Sequence, residues 1–122
     1  MTAVAPRTMA GPSGRFLQDF FFTLSDENRL RILYTLRERG GMCVNDISAE
    51  IERDQSSTAY HVGYLWQRGL LTRKKRGKFS IYAIRNDRIT DLLDHADQVR
   101  KALERGRPPP FALRRASRRR TG

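Results

Sequence analysis

Over residues 70 to 84, LLTRKKRGKFSIYAI, the apolar side chains stop recurring at helical spacing and begin to alternate, a change of period from 3.6 to 2. Two β-rich runs flank Arg76, Gly77 and Lys78, so the stretch is predicted to be a two-stranded hairpin with those three residues at its tip. Apart from a brief extended lead-in at residues 42 to 44, the rest of the patterned chain has helical spacing. The expected class is therefore mainly α (α+β), with a single small β element.

Upstream, RFLQDFFFTL sets Phe16, Phe20 and Phe21 with Leu17 and Leu24 on one side of a short helix. Ser25 is expected to end that helix and cap the next, DENRLRILYTLRER. There Asp26 and Glu27 occupy the first turn, near the positive end of the helix dipole, and Leu30, Leu33, Tyr34 and Leu36 recur at helical spacing. Gly40-Gly41 stops it. MCVNDISAEIE then predicts a short helix capped by Asn45, with Ile47 and Ile51 facing inward, and RDQ turns the chain. In DQSSTAYHVGYLWQRGLL, Tyr60, Val62, Tyr64 and Leu65 carry a helix up to Arg68, which Gly69 ends. These two helices form a helix-turn-helix, and the hairpin behind them a basic wing.

The last helix, NDRITDLLDHADQVRKALER, bears a narrow apolar stripe of Ile89, Leu92, Leu93, Ala96, Val99 and Leu103 opposite a charged face. Such a stripe at the end of a small domain wants a partner, and its own copy is the simplest. At 122 residues the chain has one modest core that a second protomer would enlarge. Residues 1 to 14, rich in Pro, Gly, Ala and Ser, and 105 to 122, a proline run followed by arginines, are expected as disordered arms flanking one domain over 15 to 104.

The charge is +11, and it is unevenly spread: 105 to 122 hold seven arginines and no acid, 1 to 15 hold Arg7 and Arg15, and 16 to 104 hold 15 basic against 13 acidic residues. Positive charge concentrates again in RKKRGK, Arg73 to Lys78. A polyanion, most economically nucleic acid, is the implied partner. An anionic membrane surface is the weaker reading, because no basic amphipathic helix accompanies the run. With one cysteine, Cys43, no disulfide forms within the chain. Neither a secretory signal nor a run of about 18 apolar residues is present, so the expected location is cytoplasmic.

Residues 54 to 71 carry serines, a histidine and two tyrosines, which invites a catalytic reading. Ser56 or Ser57 would lie four or five residues from His61 on one helix, without a G-x-S-x-G turn or a Gly-rich oxyanion loop. An enzyme is not indicated. As a DNA reader the same helix offers Gln55, Ser56, Ser57 and Thr58 in its first turn for base edges and phosphates, with Tyr60 and His61 one turn on. The wing adds Lys74, Lys75, Arg76 and Lys78. The bland alternative, that Ser and Thr merely cap and His61 sits half exposed without a role, suits any one of these residues but not the cluster followed by a basic hairpin.

FFFTLSDENRLRILYTL, CVNDI and the run from Asp54 to Ile84 together resemble the ArsR/SmtB family of winged-helix repressors, over about residues 16 to 104. Its pattern runs approximately L-S-D-x-x-R-L-x-I-L, C-V-x-D-L, S-Q-S-x-V-S-x-H-L-x-x-L-x-x-x-G-L-V and G-[RK]-x-x-x-Y. Leu24, Ser25, Asp26, Arg29, Leu30, Ile32, Leu33, Cys43, Val44, Asp46, Gln55, Ser56, His61, Leu65, Gly69, Leu70, Gly77, Lys78 and Tyr82 fall in register. The resemblance implies a homodimer built on the first and last helices, Phe16 and Phe20 included, with two recognition helices in successive major grooves of double-stranded DNA. DNA contacts carry over to Gln55, Ser56, Ser57, Tyr60 and His61, and wing contacts to Lys75, Arg76 and Lys78. Ala59 stands where a second serine is usual, and Gly63 costs the helix about 1 kcal/mol against alanine.

Metal-responsive members of the family carry a C-x-C pair or a D-x-H with H-x-x-[HE] set on the last helices. Here Asn45 replaces the second thiolate, and an amide is a poor ligand for a soft metal. Asp87 survives in the second set, but Ile89, Arg100 and Leu103 take the ligand positions. No metal or cofactor is implied. Asp91 and His95, four apart, read as an exposed acidic face with an incidental histidine. Cys43 reads as a small buried side chain at a helix start, with a thiol switch as the alternative; it lacks a resolving partner within the chain. The effector is left open. The competing functions are an architectural DNA binder that uses the wing and tail, and a protein-protein module that keeps the fold without binding DNA.

Overall fold

The computed structural model describes residues 6 to 106; of the arms expected at 1 to 14 and 105 to 122, residues 1 to 5 and 107 to 122 lie outside the described residues, while 105 and 106 belong to the last helix. After a 3-10 turn at Arg7–Met9 come α1 (Gly11–Leu24), α2 (Glu27–Arg39), α3 (Val44–Ile51), α4 (Gln55–Gln67), β1 (Leu71–Arg76), β2 (Phe79–Ile84) and α5 (Asp87–Gly106). The chain divides after Asn86 into two compact units, α1 to β2 and α5.

α1 starts earlier than its composition suggested, inside the segment expected as an arm. Pro12 is tolerated in a first helical turn, where its missing N–H is not needed. Gly14 lets the Met9 carbonyl approach so closely that a Cβ would lie 1.9 Å from its oxygen. The caps also differ from expectation. Asp26, not Ser25, caps α2, its Oδ1 accepting from the Arg29 backbone N–H at 3.1 Å, while the Ser25 hydroxyl turns back to the Phe22 carbonyl. Cys43, not Asn45, is the N-cap of α3, and it makes no side-chain cap bond. Both misplacements are one or two residues, because several polar side chains compete at each helix start.

The core of the first unit is contributed by every element from α2 onward: Ile32, Leu33 and Leu36, then Ile47 and Ile51, then Val62 and Leu65, closed by Leu70, Leu71 and Tyr82. Ile32, rather than the half-buried Leu30, joins Leu33 and Leu36 on the buried face of α2. The hairpin is antiparallel with Leu71 opposite Ile84 and Arg76 opposite Phe79. Its tip is thus the two-residue loop Gly77-Lys78, and Gly77, at φ 59°, supplies the positive φ that such a loop needs at its first position. Met42 and Tyr82 exchange backbone hydrogen bonds at 2.9 and 2.8 Å, which tie the segment before α3 to the wing. No helix among the described residues is long and apolar enough to cross a membrane.

Candidate nucleic-acid interface

α4 is aimed by its first turn. Asp54 caps it, with Oδ2 accepting from the Ser57 N–H at 3.0 Å and from the Ser56 hydroxyl at 2.8 Å. The Ser57 N–H, and after it the Ser56 hydroxyl, hold the Asp54 carboxyl below the usual carboxylate range. Helical spacing then sorts the side chains. Thr58, Val62 and Leu65, at i, i+4 and i+7, are buried. Thr58 is therefore not on the DNA-facing side as the sequence suggested; its hydroxyl donates to the Asp54 carbonyl at 2.9 Å and serves the helix start. Gln55, Ser56 and Tyr60 are exposed, and Ser57 is half-buried.

His61 is more enclosed than a surface reader, with 13% of its side chain exposed. Behind it lies Arg29, a buried cation on α2. The Arg29 Nε donates to the Thr23 carbonyl at 2.8 Å, its guanidinium stacks 4.2 Å from the Tyr64 ring centroid, and its NH1 lies 3.3 Å from His61 Nδ1. Arg68 covers the Tyr64 ring as well, at 3.7 Å, and pairs with Asp19 at 3.5 Å. The recognition helix is thus fastened to α1 and α2 by cation–π and charge-assisted contacts in addition to apolar packing. In the sequence Arg29 was marked only by its place in the family motif, and nothing local pointed to its burial.

The hairpin falls where the sequence put it, but Arg76 pairs with Phe79, so its tip has two residues and not the expected three. Lys74, Lys75, Arg76 and Lys78 are all exposed. Arg73 is set apart from them, with its guanidinium 3.9 Å over the Trp66 ring, and fixes the base of the hairpin to the last turn of α4. Cys43 is half-buried, not buried, and lines an open cleft with Gln55, Lys78, Phe79 and Tyr82.

The residues expected at a dimer interface lie on α1 and α5. On α1 Phe16 is 67% exposed, and Phe21 and Phe22 are exposed beside it. Phe16 stacks on the half-buried Phe20, centroids 6.3 Å apart. On α5, Ala96, Val99 and Leu103 are exposed, with Ile89, Leu92 and Leu93 earlier along the same stripe. The positions that the resemblance marks as metal ligands do not fit one. Arg100 places a guanidinium there, bonded to Glu104 at 2.9 Å, and the thiol of Cys43 has Asn45 in place of a second sulfur. Among the described residues no three His, Cys, Asp or Glu side chains gather as a metal site.

The profile of the bacterial regulatory protein, arsR family, matches residues 26–72, from α2 to the start of the wing. The arsenical resistance operon repressor of Bacillus subtilis is 36% identical over 73 residues, which cover 60% of this chain and 70% of that one. The crystal structure of M. tuberculosis Rv0081 superposes with a TM-score of 0.75 at 27% identity, covering 82% of this chain and all of that one. A homodimeric winged helix-turn-helix domain from Mycobacterium bovis, described as a possible ArsR-family regulator, shares the fold with a TM-score of 0.68 at 20% identity, over 83% of this chain and 91% of that one. A helix-turn-helix with a polar reading face, a basic wing behind it and these similarities lead to one assignment: the chain belongs to the arsR family of bacterial regulatory proteins, DNA-binding transcriptional regulators of winged-helix fold.

Proposed function

We propose that the protein is a repressor that binds a two-fold operator as a homodimer and whose release from DNA does not depend on a bound metal. The observation that carries the reading is the outward face of α4, Gln55, Ser56 and Tyr60 with the half-buried Ser57 and His61 at its edge, followed directly by a hairpin whose Lys74, Lys75, Arg76 and Lys78 all reach solvent. Short polar side chains at a helix N-terminus suit base edges and phosphates in the major groove, and flexible cations suit the flanking backbone. Thr58 drops out of the contact set because it is buried. Dimerisation is supported by the exposed aromatic side chains of α1 and the stripe of α5, and by the homodimeric state of the M. bovis domain. The metal-independent part rests on the donor chemistry of Asn45, Ile89, Arg100 and Leu103, and sets this chain apart from a relative named for arsenical resistance.

Selection of bound sequences from a random duplex pool at about 150 mM salt, where nonspecific phosphate binding is weakened, tests the reading. An inverted repeat with half-sites about one helical turn apart is expected. Binding without any recovered motif would instead establish an architectural binder.

A second reading is favoured by one observation: Cys43 shares its cleft with Gln55 and Lys78, so modification of the thiol would add bulk beside two proposed DNA contacts. A thiol-responsive repressor would lose operator binding on alkylation, and the C43S protein would keep it.

A further inference from the structure

The Arg29 guanidinium carries only hydrogen-bond donors and stays protonated, so its contact with His61 has one chemical sense: NH1 donates and Nδ1 accepts, at 3.3 Å. A neutral imidazole whose Nδ1 presents a lone pair carries its hydrogen on Nε2. The guanidinium is held in place on three sides, by the Thr23 carbonyl at 2.8 Å, the Tyr64 ring at 4.2 Å and the Phe22 ring at 6.0 Å. The other group facing the imidazole is Asp26. Its Oδ1 is 4.0 Å from Nδ1, beyond hydrogen-bond reach, and already accepts from the Arg29 backbone N–H at 3.1 Å. The Tyr60 ring stands edge-on at 5.1 Å. Nε2 makes no hydrogen bond among the described residues, yet no buried side-chain nitrogen or oxygen there lacks a partner. Nε2 therefore reaches solvent, on the helix whose outward face carries Ser56 and Tyr60.

We infer that Arg29 is a positioning residue that fixes His61 as its Nε2–H tautomer and so makes His61 a one-way donor to a hydrogen-bond acceptor on DNA. This rests on the proposed reading of α4 as the DNA-contacting helix. The acceptor is a phosphate oxygen or a major-groove acceptor such as purine N7, guanine O6 or thymine O4; the amino groups of cytosine and adenine are excluded, because they too are donors. Without Arg29 either ring nitrogen would carry the hydrogen, and Nε2 could then also accept from those amino groups.

The test uses the full-length, 15N-labelled protein and the duplex recovered by selection. Long-range proton–nitrogen correlations are recorded at a pH about one unit above the ordinary imidazole value, with H95Q assigning the two histidines. His61 is expected as Nε2–H in the free protein, with its Nε2 signal shifted on DNA. H61A is expected to weaken binding about two- to twelvefold, the range for one hydrogen bond, with Q55A weakening it as well. Purine 7-deaza and methylphosphonate substitutions in the duplex then separate a base acceptor from a phosphate. R29M removes every donor that faces Nδ1 at similar side-chain length, so mixed His61 tautomers are expected while the amide spectrum of α2 and α4 stays folded. Nδ1–H or a doubly protonated ring in the wild type, or an unmixed Nε2–H ring in folded R29M, overturns the inference. So does H61A binding as wild type while Q55A is weakened, which leaves the reading of α4 intact. If neither variant weakens binding, the DNA reading of α4 falls as well.

Discussion

Gly63→Ala isolates the intrinsic stability of the recognition helix. Gly63 sits in the interior of α4 with an ordinary helical backbone, and a Cβ built there meets nothing within 4 Å. No steric clash therefore opposes the substitution. What remains is the difference in helix propensity, about 0.5–1 kcal/mol in favour of alanine, largely through the lower entropy of the unfolded chain. For a domain of this size about 1 kcal/mol moves the melting midpoint by about 4–8 °C, so the variant should melt about 2–8 °C higher. The assay is thermal unfolding by circular dichroism at one fixed protomer concentration, because the proposed dimerisation would make the midpoint concentration-dependent. An unchanged or lower midpoint refutes the reasoning. Gly63 follows Tyr60 by three residues and Ser56 by seven, which puts the new methyl on the outward face. Operator affinity is expected to stay near wild type; a loss of affinity in a protein that has gained stability would place the α4 backbone directly against DNA.

Leu65→Ala removes a fully buried side chain where α4 meets the core and should cost about 2–5 kcal/mol, read as a lower urea midpoint; a smaller loss would mean that the site is not packed as described. Asp54 has a depressed pKa in the folded chain, so its contribution is present above the usual aspartate value of 3.8 and is lost as pH falls through the folded value. A titration of its carboxyl chemical shift with a midpoint at or above 3.8 would contradict the cap, and D54A should speed hydrogen exchange at the Ser57 amide. Deleting residues 105 to 122 removes seven arginines. For a specific repressor, affinity should fall alike on all sequences, and the log-log salt slope should flatten by nearly one unit for each phosphate that the tail no longer neutralises. Abolition of all binding would identify an architectural protein.

The two strands of the hairpin were legible, because alternation around a Gly-containing turn depends on neighbouring residues alone, but the tip was read one residue too long, since Arg76 pairs with Phe79 and only Gly77 and Lys78 turn. The faces of α3 and α5 were read on the same local basis. On α4 and the wing, local patterning placed Gln55, Ser56, Tyr60 and the wing lysines outward, and all of them are exposed in the fold. It misplaced Thr58, since a first-turn threonine can serve equally as cap, contact or core residue until the rest of the helix packs. Ser25 and Asn45 were misassigned for a similar reason, and α1 was begun too late because Ala-Gly-Pro-Ser reads as loop wherever no neighbouring carbonyl needs the space that Gly14 leaves.

The sequence by itself determined the order and type of the elements, the basic wing and the polar start of α4, since each is set by contacts within a few residues. Only the tertiary structure decided what lies behind that helix. Arg29 and His61 are separated by 32 residues, and Arg68 and Asp19 by 49, counted along the chain. A charge in an amphipathic pattern is read as solvated until the fold buries it against a carbonyl, two aromatic rings and an imidazole. That is how Arg29, a charge in the pattern of α2, comes to lie buried behind α4.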